Sequence, residues 1–449
     1  LDYSLTDGWD PIHYLNSGRT TNVQFVARPF SNTKFTDNLA NNSNSAGIRF
    51  LGELLNGTAV NYNKSDSFLP LAPAQDLFGN LLPNPTGTDK SWGLAFNLFN
   101  GKVVIRATHY DDFQRNAQNG DSSTMSQRVT RTDVAISGAS LANPPINLQP
   151  NAIRWVTAQN PGWSADQINA EVSKQMKMDQ TTIDRLFLPQ PPIGTTNDIH
   201  SHGTEIEVNI NPSHYWTISG SVTDTQSINL NVSKSLADWI AERMPVWTSI
   251  VDPTWNTDAT LWSAATVAAD NAAGGNPNHL WWLHHYSATG QSPSENFQAF
   301  VNAPYGVIVA QEGKNNPQVR RYAFRAATSF QLAGVSDNKW LKKMTVGGAL
   351  RWEDKGAIGY YGVQDAKGVY VSLDADRPIY DGSHTYVDMF VSYKTNLWRD
   401  KVGATFKVNV RNLGQTSHLQ PVGAFPDGTV ATYRIIDPQQ FFFTASFDL

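Results

Sequence analysis

Two carboxylates one strand period apart, Glu205 and Glu207 in "GTEIEVNI", are the first residues whose type and spacing could do chemistry. In an extended chain they point to one side about 6.5–7 Å apart, so a glycosidase pairing has to be considered. Their setting favours another role. They lie in mid-strand, and later strands carry basic residues at matching positions, which is how an electrostatic network is written. Histidines offer a second chemistry. His200 and His202 in "IHSHG" fall on one face of an extended segment, a two-ligand geometry for a metal, although a polar loop-to-strand junction uses the same residues. His284 and His285 in "LHHY" are adjacent, so they point to opposite faces of a strand or about 100° apart on a helix, and a metal there needs partners from elsewhere. No nucleophile elbow, Walker loop or dinucleotide fingerprint is present, and "GG" at 274–275 lacks the flanking strand and helix. The expectation is a protein that is not an enzyme, with no catalytic residue, no metal and no cofactor.

Period-two patterning, the mark of extended strands, recurs along the chain around those residues. In "KSWGLAFNLF" Trp92, Leu94, Phe96 and Leu98 share one parity; after Asn100-Gly101, a hairpin signal, "KVVIRATHY" sets Val103, Ile105 and Ala107 against Arg106 and Thr108. Ile206, Val208 and Ile210, then Trp216, Ile218 and Val222, oppose Glu205, Glu207 and Asn209. Further on, Tyr322, Phe324, Ala326, Phe330 and Leu332 oppose Arg321, Arg325 and Ser329, while Met344, Val346, Leu350 and Trp352 oppose Thr345, Arg351 and Glu353. Val387, Met389, Val391 and Tyr393 follow, and Val402, Ala404, Phe406, Val408 and Val410 oppose Thr405, Lys407, Asn409 and Arg411. The last stretch, "FFFTASFDL", puts Phe441, Phe443, Ala445, Phe447 and Leu449 on one side. Weaker candidates are "NVQFVARP" at 22–29, "GIRFLGELL" at 47–55 and "TAVNY" at 58–62. The total comes to about 12 strands of about 9–14 residues, the length that crosses a bilayer at a tilt.

The connections alternate too. Short turns at 99–101, 211–214, 334–342 and 397–400 take turns with long inserts at about 66–88, 113–201, 228–317, 360–384 and 413–435. A soluble sandwich has no reason to gather every long loop at one end, whereas an outer-membrane barrel has short periplasmic turns and long external loops. Two inserts carry helical signals. "GWSADQINAEVSKQM" offers Ser164 and Gln167 as a capping box before Ile168, Val172 and Met176, and "SKSLADWIAERM" is a second helix candidate. Trp239, Trp247, Trp255, Trp262, Trp281 and Trp282 crowd one insert among Asn, Ser and Gly, where their rings would either stack on a ligand or hold the insert together.

Composition removes several classes. Hydrophobic residues make up 40% and charged residues 16% of 449, below the usual shares of about 45–50% and about 25%, so uncharged side chains supply the polarity. Fourteen Trp and an aromatic content of 11% suit a carbohydrate-facing surface or the girdles of a membrane barrel. Zero Cys rules out disulfides and thiol chemistry and is compatible with an oxidising compartment. A net charge of -5 lacks the basic footprint of a nucleic-acid binder, so no nucleic-acid partner is expected. No apolar run reaches the roughly 18 residues of a spanning helix, a test that barrels escape. The opening "LDYSLTDGWDP" has no initiator Met and no signal-like pattern, as in a mature product or a fragment.

On these residues the chain resembles the C-terminal part of TonB-dependent outer-membrane receptors. "GTEIEVNINPSHYWTISGSVTDT" resembles that family's paired mid-barrel strands with a Gly-x-Glu-x-Glu start and an Asn-Pro turn, and "RRYAFRAATSFQL", "VGGALRWEDKGAIGY" and "VNVRNLGQ" resemble its later strands. "LLPNPTGTDKSWGLAFNLFNGKVVIRATHYD" is similar to a segment of its loop-rich members, so the resemblance runs over about residues 45–449. The final strand approximates the signal that outer-membrane assembly reads, with Leu449 where an aromatic residue is usual. The resemblance implies an all-β transmembrane antiparallel barrel, here a C-terminal portion over 1–449, with the plug and early strands absent and with long extracellular inserts at about 113–201 and 228–317. It also implies the cell outer membrane as location, lipid and a TonB-type energising protein as partners, and uptake of a scarce nutrient such as a siderophore, cobalamin or an oligosaccharide. Under it Glu205, Glu207, Arg325, Arg351, Glu353, Lys407 and Arg411 face the lumen, and the six Trp are ligand-binding candidates. Two alternatives stay open: a passive porin of about 12 strands, and a secreted β-rich glycoside hydrolase using Glu205 and Glu207.

Overall fold

Alternation of apolar and polar residues is resolved into one large sheet in the computed structural model, which describes residues 17–41, 45–135, 146–255, 263–286, 290–317, 319–366, 368, 370–398 and 401–448. Among them the strands are β1 (Thr21–Ala27), β2 (Thr58–Phe68), β3 (Thr86–Leu98), β4 (Val103–Gln118), β5 (Thr196–Ser213), β6 (Trp216–Leu230), β7 (Tyr322–Gln331), β8 (Met344–Glu353), β9 (Ala357–Gln364), β10 (Tyr370–Tyr380), β11 (His384–Leu397), β12 (Val402–Arg411), β13 (His418–Ala424), β14 (Val430–Ile436) and β15 (Gln440–Asp448). Eleven form one sheet in the order β1-β2-β3-β4-β5-β6-β7-β8-β11-β12-β15, and β9–β10 and β13–β14 are separate hairpins. Every pairing between these strands is antiparallel. The two hairpins overlap the inserts expected at 360–384 and 413–435, β9 starting three residues earlier at Ala357 and β14 ending one residue later at Ile436, so those segments are structured connections and not plain loops.

Register keeps the two faces distinct from strand to strand. Ala27, Val60, Leu94, Ala107, Ile206, Val222, Phe324 and Trp352 are successive cross-strand partners from β1 to β8, and Trp216, Phe330, Val346, Val391, Val408 and Phe443 are successive partners from β6 to β15. A slip of one residue anywhere would move the apolar set to the other side, so each short turn has to hold register. At the Asn100-Gly101 turn the backbone runs through positive φ at Phe99, Asn100 and Gly101, the last at 84°, where glycine has no Cβ to clash. Gly347 serves differently: a Cβ there would strike the ring of Phe390 on the next strand.

Short connections, 99–102, 214–215, 332–343 and 398–401, gather at one end, and the long inserts at the other. One connection breaks the rule. Between β1 and β2 run α1 (Lys34–Ala40) and α2 (Ala46–Asn56) at the short-turn end, where Asn97 donates its N–H to Gly57 O at 2.9 Å and Glu53 accepts the N–H of Phe99. The expected strand "GIRFLGELL" is therefore helix α2. Its apolar residues Ile48, Leu51 and Leu55 recur at spacings of three and four, and Ser45 caps it by accepting from Ile48 N–H.

The remaining helices fill the two largest inserts: α3 (Gly120–Asp133), α4 (Leu148–Gln159), α5 (Ala165–Met176) and α6 (Gln180–Phe187) after β4, then α7 (Lys234–Trp247), α8 (Ala264–Ala272), α9 (Pro293–Phe297) and α10 (Ala303–Ala310) after β6. The Ser164–Gln167 capping box forms, and both helix candidates of these inserts are helices, α5 and α7. Here, joined by Leu77 from the β2–β3 connection, sits the buried hydrophobic cluster, built on Val129, Leu148, Trp155, Met176, Ile183, Leu236, Trp247 and Trp281, with no residue from the eleven-stranded sheet. The sheet's own apolar side stays open: Phe25 is 59% exposed, Met389 50% and Phe443 78%.

Candidate functional site

Opposite that open apolar side lies the chemically equipped face of the sheet. One cross-strand row reads Thr108, Glu205, Thr223, Ala323, Glu353 and His384, and the adjacent row reads Arg106, Glu207, Ser221, Arg325, Arg351 and Tyr386. Strand parity places Lys407 and Arg411 on the same face through β12, so the seven charged candidates share one side. Their partners are local. Arg106 Nη1 is 3.9 Å from Glu207 Oε2, Arg351 Nη2 is 3.6 Å from Asp388 Oδ2, and Arg320 Nε is 3.5 Å from Glu353 Oε2. Aromatic rings on this face take further cations: Tyr386 under Arg351 at 5.3 Å, Phe390 under Lys407 at 4.5 Å and Phe442 under Arg411 at 5.8 Å. A groove of about 570 Å³ runs along it past Ser219, Ser329, Asp388, Asn409 and Arg411.

At the insert end this face is closed by a knot around Asp381, which sequence inspection did not single out. Asp381 accepts from both Nη atoms of Arg320, from Gly356 N–H at 2.7 Å and from Gln420 Nε2 at 3.2 Å, and His384 Nε2 is 2.9 Å away. Arg434 Nη2 in turn donates to Gln420 Oε1 at 2.8 Å. One buried carboxylate thereby ties the segment before β7, the β8–β9 link, the start of β11 and both strands of the β13–β14 hairpin. Asp381-Gly382 reads in sequence as a turn, but its partners are 61 and 39 residues away, beyond any local pattern.

The tryptophans have diverse positions. Trp239, Trp247 and Trp281 are buried in the helical cluster and Trp282 packs against it, with Trp247 and Trp282 stacked at 5.7 Å. Trp255 stacks on His279 at 4.1 Å, and Trp262 lies outside the described residues, as does Leu449. The histidine pairs also have carboxylate neighbours. His284 Nδ1 lies 2.9 Å from Asp270 Oδ2 and His285 Nε2 lies 2.9 Å from Glu295 Oε2; burial pushes the pKa of His284 down, against the pull of Asp270. His200 and His202 do share a face, with ring centroids 5.0 Å apart and His200 3.0 Å from Asp111. Among the described residues no group of three or more His, Asp or Glu has metal-holding geometry.

The apolar side of the sheet has its own order. Tyr62 pairs across strands with Trp92, whose ring lies 4.5 Å from His109, while at the short-turn end Trp216 meets Phe330 edge-on at 6.0 Å and Trp340 stacks on Tyr393 at 6.2 Å. From Tyr322 to Phe330 strand β7 covers about 26 Å, which a tilt of about 40° projects to about 20 Å. No described helix is long and apolar enough to cross a membrane.

No family model matches the chain, and no curated protein matches it. Among solved structures it is similar to the ferripyoverdine receptor of the outer membrane of Pseudomonas aeruginosa bound to ferripyoverdine, at 12% identity and a TM-score of 0.40, over 86% of this chain and 30% of that one. It is similar to the ferric-catecholate import receptor Fiu of E. coli K12, at 13% identity and 0.36, over 87% and 32%. The ferric yersiniabactin uptake receptor FyuA of Yersinia pestis gives 8% and 0.38, over 87% and 34%. The chain spans about a third of the length of these receptors.

Proposed function

We propose that this chain forms part of an outer-membrane β-barrel that takes up a scarce nutrient, with its apolar side against lipid and its charged side lining the lumen. One observation carries the reading: the apolar side is continuous across eleven strands and uncovered, while the buried cluster lies wholly in the inserts. In water such a surface would be far larger than the few hundred Å² a monomer usually exposes in one patch; against hydrocarbon it costs nothing. Aromatic side chains toward both ends of that side fit the two interfaces of a bilayer. The helical inserts would stand outside the membrane, where nutrient arrives, and Glu205, Glu207, Arg325, Arg351, Glu353, Lys407 and Arg411 would line the path. Sequence resemblance implies a TonB-type protein as the energy source. In lipid the outer edges of β1 and β15 need partners, either each other or further strands.

The test uses the chain reconstituted in liposomes with brominated acyl chains. Tryptophan fluorescence is expected to be partly quenched; Trp92→Phe and Trp216→Phe should each lower the absolute fluorescence lost to quenching, and Trp247→Phe should leave that loss unchanged. A chain that stays monomeric and folded in detergent-free buffer, with no quenching by these lipids, overturns the membrane reading.

A further inference from the structure

The geometry points to an anion-binding pocket at the insert end of the charged face, in which Arg325 and Arg434 hold a carboxylate-bearing ligand. The row that contains Arg325 is unbalanced. Glu207 meets Arg106, Ser221 comes next, and then Arg325 and Arg351 stand directly opposite each other on β7 and β8. Like charges in that position repel. Arg351 is relieved by Asp388 at 3.6 Å and by the ring of Tyr386. Arg325 has no such relief: among the described residues no carboxylate lies within 4.0 Å of it.

Beside Arg325 opens a cavity of about 380 Å³, lined also by Thr223, Thr225, Arg320, Glu353, Gln420 and Arg434, within the range of small-ligand sites. The charges in its wall are not equally available. Arg320 is committed to Asp381 and to Glu353 at 3.5 Å, and the oxygens of Asp381 are filled by Arg320, Gly356, His384 and Gln420. Among the described residues Arg434 donates only to the neutral Oε1 of Gln420. Two guanidinium groups therefore face the cavity without an anion of their own, and a planar carboxylate is what their fork of donors matches best. Thr225 Oγ1 accepts from Tyr110 Oη at 2.9 Å, which leaves its proton free to donate inward. The pocket deepens the uptake reading by giving its cargo a negative charge, and it moves the weight of recognition away from the buried tryptophans.

Isothermal titration calorimetry on the chain in detergent micelles, at fixed ionic strength, tests this with citrate, inorganic phosphate and the neutral sugar maltotriose. Citrate is expected to bind saturably, and Arg325→Gln and Arg434→Gln should each weaken it by about tenfold or more, with the thermal melt of Arg325→Gln not lowered, because the substitution removes the repulsion from Arg351 and breaks no ion pair among the described residues. Phosphate binding more tightly than citrate would overturn the carboxylate assignment. No saturable heat with citrate, equal binding of maltotriose, or citrate affinity indifferent to both substitutions would overturn the pocket itself. The readout is binding in micelles and not lipid contact, so a chain quenched by brominated lipid that ignores citrate sinks this inference alone.

Discussion

Arg243 carries its charge into the core of the inserts, where Asp133 receives it at 2.7 and 3.2 Å, Trp247 Nε1 donates to the same carboxylate at 2.9 Å, and Arg243 Nη1 reaches Met176 O at 2.9 Å. The group joins α3, α5 and α7. Removing one partner strands the other charge in a dry site, so Arg243→Met should destabilise the inserts by about 3–5 kcal/mol. Asp133→Leu combined with Arg243→Met should recover most of that loss, and denaturant unfolding followed by near-ultraviolet circular dichroism measures both. Asp381 gives a prediction in pH. Burial alone would raise its pKa, but hydrogen bonds from Arg320, Gly356, His384 and Gln420 outweigh burial and bring it from 3.8 to about 2. A depressed carboxylate stabilises the folded state above its unfolded pKa and loses that contribution as pH falls through the folded one. The knot should hence weaken by about 2 kcal/mol from about pH 4 down to about pH 2. Hydrogen exchange at Gly356 N–H, corrected for intrinsic rates, reads it; protection that stays flat over that interval contradicts the assignment.

Among the elements, β15 and α2 show what alternation can and cannot say. On β15, Phe443 pairs with Val408 on the open apolar side, and its neighbour Thr444 pairs with Lys407 on the charged side. Under the proposed membrane reading, Phe443→Arg should cost about 2–4 kcal/mol in liposomes and Thr444→Arg far less, because on that reading only the first puts a charge against lipid. Urea unfolding of the reconstituted chain compares them, and equal costs would contradict the assignment of faces. In α2 the short apolar run "GIRFLGELL" was open to either period, and the Ser45 cap together with contact to the β3–β4 turn selects the helix. The β9–β10 and β13–β14 hairpins were hidden for a different reason: their pairings contain register shifts, at Leu373/Pro378 and Pro421/Gly423, which blur a period-two signal.

At the scale of the whole molecule, hydrophobic residues divide into two sets. The inserts bury theirs around Trp155, Trp247 and Trp281 as a water-soluble domain does, and the sheet leaves its set on a surface. Alternation alone fits a soluble barrel as well as a membrane one, since in both one face is apolar and one polar. The distinction lies in whether anything covers the apolar face, and that depends on where two inserts of helices end up. They fold on themselves at one end of the strands.

What the sequence determined by itself was the antiparallel meander, the parity of each strand, the gathering of most long connections at one end and the common face of Glu205, Glu207, Arg325, Arg351, Glu353, Lys407 and Arg411. All of these follow from side chains that alternate along a strand and from turns a few residues long. Tertiary structure alone decided that Arg325 faces Arg351, that Asp381 gathers donors from four segments, and that Trp239, Trp247 and Trp281 are interior. These are meetings of residues far apart in the chain, fixed by register and by how the inserts fold, and no local period encodes them.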